Sequence, residues 1–200
     1  MTPARIDVIL LAAGEGRRMG GRDKLLEPVD GRPLLARQAA VARASAAREV
    51  LVILPPEAAP RRSALAGLDV RIVAAGSQAE GMGGSLRAGI AALRPDADGV
   101  VVMLGDMPEV TAAGIDALIA ARVRGAAICR ATGPDGAPGH PVLFDGRFFP
   151  ALGASRGDAG ARDLLRVEAR SVVSVPLVGA TTDLDTPEAW AAWRAAHPGR

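Results

Sequence analysis

The residues with the most chemical potential lie in the stretch Leu10–Lys24, LLAAGEGRRMGGRDK, where Gly14, Gly16, Gly20 and Gly21 alternate with Arg17, Arg18 and Lys24. Glycine lets main-chain N–H groups approach a ligand closely. Successive N–H groups in such a turn form a concave anion site, and the cationic side chains put charge where a polyphosphate needs it. A strand running into a basic glycine loop is therefore a phosphate-binding arrangement with a mechanism. Neither of two familiar phosphate loops fits. Gly21 follows Gly16 at the spacing of a Walker loop, but Arg22 and Asp23 come next instead of Lys and Ser or Thr. A GxGxxG reading fails because Met19 holds the third glycine position. Taken alone, the loop also reads as a solvated Gly/Arg connection.

Two acidic stretches supply the complementary chemistry. Gly105-Asp106-Met107-Pro108 follows the apolar run VVVML, and Asp185 sits in Asp183-Leu184-Asp185-Thr186-Pro187. A carboxylate at the end of a buried strand can hold Mg²⁺, a hard cation usually shared with substrate phosphates. Asp185 could be the second ligand if its strand end lies beside the first. Separately, Asp106 reads as a turn aspartate and Asp185 as a residue near a helix cap. A second glycine-rich loop, Gln78–Gly89 (QAEGMGGSLRAG), leads into a helix whose first turn is expected at Ser85, Leu86 and Arg87. Its main-chain groups could contact a base edge, and Ser85 is small enough for close approach.

These loops need a scaffold, and the sequence describes one. Short apolar runs recur at Ile6–Leu11, Val50–Leu54, Val70–Val73, Val100–Leu104, Ala126–Cys129 and Val172–Val175. They are continuous rather than alternating, and helical spacing separates most of them. That pattern predicts an α/β fold with a mostly parallel sheet covered by helices on both faces. Ligands in such sheets bind beyond the carboxyl ends of the strands, where the glycine loops and the acids fall. Pro33 is expected at the first helical position of a helix running to Ala47. Thr111 should cap a helix whose apolar face is Ile115, Leu118 and Ile119, with Asp116 and Arg122 outward. Thr186 and Pro187 should start a helix that packs Trp190 and Trp193 against the sheet. RATGPDGAPGHPVLF, from Arg130 to Phe144, reads as a hairpin excursion adding an antiparallel strand. Without a repeat or linker, residues 1–200 are expected to form a single domain.

Composition narrows the functional classes. The 200 residues carry 24 Lys and Arg against 22 Asp and Glu, a net charge of +2 that makes no case for nucleic acid. Basic and aromatic residues are not interleaved as base stacking would require. One cysteine, Cys129, excludes an intramolecular disulfide and a cysteine-based zinc cluster; its apolar neighbours make it a buried small hydrophobe. No stretch reaches the ~18 uninterrupted apolar residues of a membrane span, and the N-terminus lacks the form of a signal peptide. A soluble, cytoplasmic protein is the expectation.

LAAGEGRRMGGRDKLL with GRPLL, then GMGGSLRAG, GDMP, GHPVLF, GDAGARDLL and DLDTPE, run in an order that resembles the molybdenum cofactor nucleotidyltransferases, above all the cytidylyltransferases. The first motif is shared with sugar-nucleotide pyrophosphorylases, whereas GDMP with GHPV and GDxGAR is much more specific to this branch. The resemblance implies a Rossmann-like, three-layer nucleotidyltransferase fold. It places Leu11, Ala12, Ala13, Gly14, Gly16, Arg18 and Lys24 in the nucleotide loop, with Gly81 and Ser85 toward the base. It makes Asp106 and Asp185 the Mg²⁺ ligands and Arg18, Lys24 and Asp106 the catalytic set. His140, Asp158, Gly160 and Arg162 fall on the acceptor side. Ala13, in LAAG where GTP-using relatives have LAGG, points to CTP. The implied reaction moves CMP from CTP to the phosphate of a molybdopterin-type acceptor, with a molybdenum hydroxylase as a possible recipient and no nucleic acid or membrane partner. Two other readings stay open: a transferase for a sugar or polyol phosphate, and a non-catalytic nucleotide-binding accessory protein.

Overall fold

The computed structural model describes residues 4–14, 19–76 and 80–199. In chain order the principal strands are β1 (Ile6–Leu11), β2 (Pro28–Val29), β3 (Arg32–Pro33), β4 (Glu49–Leu54), β5 (Arg71–Ala74), β6 (Gly99–Leu104), β7 (Ile128–Thr132), β8 (Pro138–Asp145) and β9 (Val172–Pro176). Between them run α1 (Leu34–Arg43), α2 (Ala59–Ala64), α3 (Gly81–Ala91), α4 (Ala112–Val123), α5 (Phe149–Gly153), α6 (Arg162–Val167) and α7 (Pro187–Ala196). A seven-stranded sheet has the order β5-β4-β1-β6-β8-β7-β9, and β2 pairs with β3 in a separate small hairpin. β8 alone runs against its neighbours β6 and β7, so the hairpin expected after Cys129 is inserted into the sheet.

The continuous apolar strands are explained by burial on both faces. In β1, Ile6, Val8 and Leu10 pack into one layer with Leu35, Ala39, Ile115 and Leu118 from α1 and α4. Ile9 points the other way, to Leu86 of α3, Phe144 and Leu152. At the opposite end of the sheet from the glycine loops, the buried Asp7 carboxylate receives a two-pronged bond from Arg48, at 2.9 and 2.7 Å.

Three local expectations change. Pro33 belongs to β3 and only precedes α1, because its extended ψ of 135° suits the small hairpin and not a helical turn. α3 begins at Gly81, four residues before the expected first turn. Its early glycines serve packing: a side chain on Gly83 would come within 2.7 Å of the Arg156 backbone. Trp190 and Trp193 do not lie on the sheet. They close a third cluster with Met19, Val29, Leu34 and Leu184, holding the exit of the first glycine loop against the C-terminal segment. The expected caps are present: the Thr111 and Thr186 hydroxyls accept from Gly114 N–H and Ala189 N–H. Among the described residues, no helix is long and apolar enough to cross a membrane.

Candidate active site

β1 and β6 are adjacent and parallel, with Leu11 opposite Leu104, so the segments leaving them emerge side by side. From β1 the chain turns at Ala12, whose N–H donates to Ile53 of β4 at 3.0 Å. From β6 it passes through Gly105 to Asp106. The C-terminal segment reaches the same place because the Leu184 N–H donates to the Asp106 carbonyl at 3.0 Å. This main-chain bond sets Asp185 next to Asp106, although 79 positions separate them in the sequence. Glu109 holds the rest of that segment. It accepts from Thr182 at 2.8 Å, from the Trp193 indole at 3.3 Å, and lies 2.9 Å from the His197 ring.

Lys24 comes from the far end of the glycine loop to complete the cluster. Its ammonium is 2.5 Å from Asp106 Oδ2 and also contacts Asp185 Oδ1. Burial would lower the lysine pKa, but the two carboxylates outweigh it and raise the group above the ordinary lysine value. Lys24 is thus held charged in a site where only 8 % of it is exposed. Asp106 Oδ1 is buried without a hydrogen-bond partner. A carboxylate with an orphaned buried oxygen beside a second carboxylate fits a divalent cation that takes its remaining ligands from water and substrate. The described residues contain no group of three or more His, Cys, Asp or Glu side chains that would hold an ion on their own.

Arg61, which carried no signal in the sequence, fixes the loop that delivers Lys24. Its guanidinium donates to the Ala12 carbonyl at 2.6 Å, to the Gly14 carbonyl at 2.8 Å and to both oxygens of Asp23, at 2.6 and 3.0 Å. One side chain on α2 therefore ties the start of the loop to its end. Asp23 in turn accepts from Leu25 N–H at 3.0 Å, which orients the adjoining Lys24. Gly20 and Gly21 take the left-handed φ values of 62° and 87° that bring the chain back. Gly16 and Arg18 lie outside the described residues.

The positions expected on the acceptor side gather around a cavity of about 420 Å³ between the sheet and helices α3 and α6, with Leu11 and Leu104 at its edge. His140, Asp158 and Arg162 line it, together with Leu11 and Leu104 at the ends of β1 and β6. Gly160 adjoins Met82, another wall residue. Gly81 abuts Asp158, where an added side chain would overlap the carboxylate, and Ser85 is buried one turn further along α3. Burial and the nearby Arg130 charge push the His140 pKa below the ordinary histidine value, while the Val102 carbonyl and the Asp106 charge act in the opposite sense. Cys129 is a buried residue of β7, its thiol pushed up to about 11 by burial.

The family model described as "MobA-like NTP transferase domain" matches residues 8–173. The purine catabolism protein PucB of Bacillus subtilis is 30% identical over 191 residues, covering 90% of this chain and 91% of PucB. Nicotine blue oxidoreductase of Paenarthrobacter nicotinovorans is 32% identical over 189 residues, covering 90% of this chain and 92% of that protein. Similarity to the bifunctional protein GlmU of Kineococcus radiotolerans, at 37% identity, takes in 59% of this chain but only 25% of GlmU. Among solved structures, Rv0371c from Mycobacterium tuberculosis superposes with a TM-score of 0.83 at 29% identity, over 96% of this chain and 98% of that one. A second crystal structure of Rv0371c, a complex with manganese, gives a TM-score of 0.80 at 28% identity, over 94% and 97% of the two chains. Fold, motif order and family match agree: the chain belongs to the MobA-like NTP transferase family.

Proposed function

We propose that this protein transfers CMP from CTP to the phosphate of a molybdopterin-type acceptor and releases pyrophosphate. The observation that carries the reading is the convergence of Lys24, Asp106 and Asp185, from three distant parts of the chain, beside a glycine loop and an adjoining cavity. An acceptor phosphate oxygen would attack the α-phosphorus of CTP. The new P–O bond forms as the bond to the β-phosphate oxygen breaks, and pyrophosphate carries away the displaced electron pair. A phosphate monoester is mostly ionised near neutrality, so no general base is needed. His140, kept neutral by its surroundings, suits hydrogen bonding to the acceptor rather than proton transfer.

In such a displacement the protein contributes position and charge. Lys24 would meet the nucleotide's phosphates and draw off charge as pyrophosphate leaves. The loop, held at its two ends by Arg61, would offer its main-chain N–H groups to the same phosphates. Arg18 would add a second cation from within that loop. Asp106 and Asp185 would hold Mg²⁺, which when bound supplies charge neutralisation at the phosphates. The manganese complex of Rv0371c supports a divalent ion in this family. Ala13, at the entry to the loop, favours CTP over GTP.

A panel of the four NTPs with Mg²⁺ and a pterin phosphate acceptor, read as pyrophosphate release, tests the proposal. CTP-dependent release is expected. Release with sugar or polyol phosphates alone would replace the acceptor, GTP preference would overturn the Ala13 reading, and CTP binding without turnover would leave an accessory nucleotide-binding role.

A further inference from the structure

The arginines of this chain divide cleanly by burial. Among the described residues, every arginine that is not exposed has a carboxylate partner, with one exception. The exception is Arg130, in the middle of β7 and in the wall of the cavity. Its Nε donates to the Gly139 carbonyl at 3.1 Å, which fixes the plane of the guanidinium. No described residue accepts from its two terminal nitrogens. Burial lowers its pKa below that of an ordinary arginine, as expected for a cation that no described carboxylate pairs with. The adjoining wall holds a second unmet group: the His140 Nδ1 atom is buried and has no hydrogen-bond partner. The Arg130 and Asp106 charges both act on His140, so this histidine lies within reach of both.

Leaving a half-buried arginine unpaired is costly unless a ligand supplies the anion. The fork of a guanidinium matches two oxygens of a phosphate or carboxylate. Most of the remaining cavity wall is apolar, with Met82, Leu86, Val142, Phe144 and Leu165 among its residues. A polyol would leave its hydroxyl groups unpaired against these side chains, whereas a flat or compact ring would not.

We infer that Arg130 is the receptor for the acceptor's oxyanion, and that the cavity selects phosphomonoesters with an apolar-faced ring over polyol phosphates. This rests on the transferase reading and adds to it a specificity-determining residue and a substrate class. Held there, the oxyanion lies on the His140 side of the Lys24–Asp106–Asp185 cluster, where it can face the nucleotide. Arg162, Arg166 and Asp158 are the other charged residues of the wall, and Arg166 is paired with Asp163 at 3.6 Å.

The test is calorimetric titration of the full-length protein, with CTP and Mg²⁺ present, using phenyl phosphate as the ring-bearing probe and glycerol 3-phosphate as the polyol probe. Phenyl phosphate should bind at least tenfold more tightly. Arg130→Met should weaken it by about 10- to 100-fold, the range for a charge-assisted hydrogen bond, and Arg130→Lys should restore only part. CTP affinity, titrated separately, should change less than twofold in both variants. Equal binding of phenyl phosphate by wild type and Arg130→Met, or tighter binding of glycerol 3-phosphate, would overturn the inference. A wild-type protein that fails to bind CTP would instead sink the transferase reading. Thermal melts identify a misfolded Arg130→Met variant, and Arg130→Gln then provides the same comparison.

Discussion

Replacing Arg61 by methionine should disable the nucleotide loop from a distance. The arginine is 6 % exposed and makes four hydrogen bonds to three separate points of the loop. Methionine retains much of the apolar stem and removes all four. Breaking a buried ion pair by deleting one partner costs about 3–5 kcal/mol. The Asp23 side chain is 27 % exposed, so water can rescue part of its charge and the lower end applies. The Ala12 and Gly14 carbonyls each lose a charged donor, but a loosened loop lets water reach them. A net loss of about 2–4 kcal/mol is expected, read by urea denaturation at unchanged m-value. CTP affinity should fall at least tenfold in the same variant, since each 1.4 kcal/mol of reordering cost is a factor of ten. Arg61→Lys should rescue little, because one ammonium cannot reach two carbonyls and a carboxylate in this fixed geometry. A loss below ~0.5 kcal/mol, within the range of an ordinary surface substitution, would refute the clamp.

Other consequences can be checked independently. Thr111→Ala removes the cap on Gly114 N–H and should cost about 1 kcal/mol in chemical denaturation; no change would mean that water satisfies that donor equally well. Gly83→Ala places a methyl 2.7 Å from the Arg156 backbone and should destabilise by about 1–3 kcal/mol while separating α3 from the 156–160 segment. Hydrogen exchange that stays unaltered at residues 156–160 would argue against that packing. Asp98 is held at about 2 by hydrogen bonds from Arg5, below the ordinary aspartate value of 3.8. Between those values the unfolded chain binds more protons, so this contribution is complete above about pH 4 and disappears as the pH falls toward 2. Asp98→Asn should flatten the acid limb of the stability profile in that window, and an unchanged slope would contradict the assignment.

The sheet was legible because its strands are buried on both faces, which writes continuous Val, Ile and Leu runs into the sequence. Thr111 and Thr186 announced their helices for a local reason: the capping hydroxyl and its amide partner lie three residues apart. The acids and Lys24 could be singled out because each follows or precedes a recognisable turn, and the structure brings all three together. Gly16 and Arg18 fall outside the described residues, so the placement of that part of the loop rests on sequence. Arg61 and Glu109 left no pattern, since their partners are backbone carbonyls and side chains far away in the chain. Arg130 was equally silent, because what distinguishes it is that no described carboxylate pairs with it, a property of the fold and not of its neighbours in sequence. The start of α3 differs from the expected one for a related reason. Its glycines look like a loop until the Arg156–Gly160 segment packs against them and makes small residues necessary in a helix.

The central claim is that Asp106, Asp185 and Lys24 form one site for a metal-bound nucleotide. Calorimetric titration of CTP into wild type, Asp106→Asn and Asp185→Asn, with and without Mg²⁺, measures it most directly. Wild type should bind CTP much more tightly with Mg²⁺ than without it. Each asparagine variant should lose that difference while keeping its melting profile, whereas Arg22→Ala, an exposed change in the same loop, should retain it. Metal-independent binding by wild type, or full Mg²⁺ enhancement in both aspartate variants, would contradict the account.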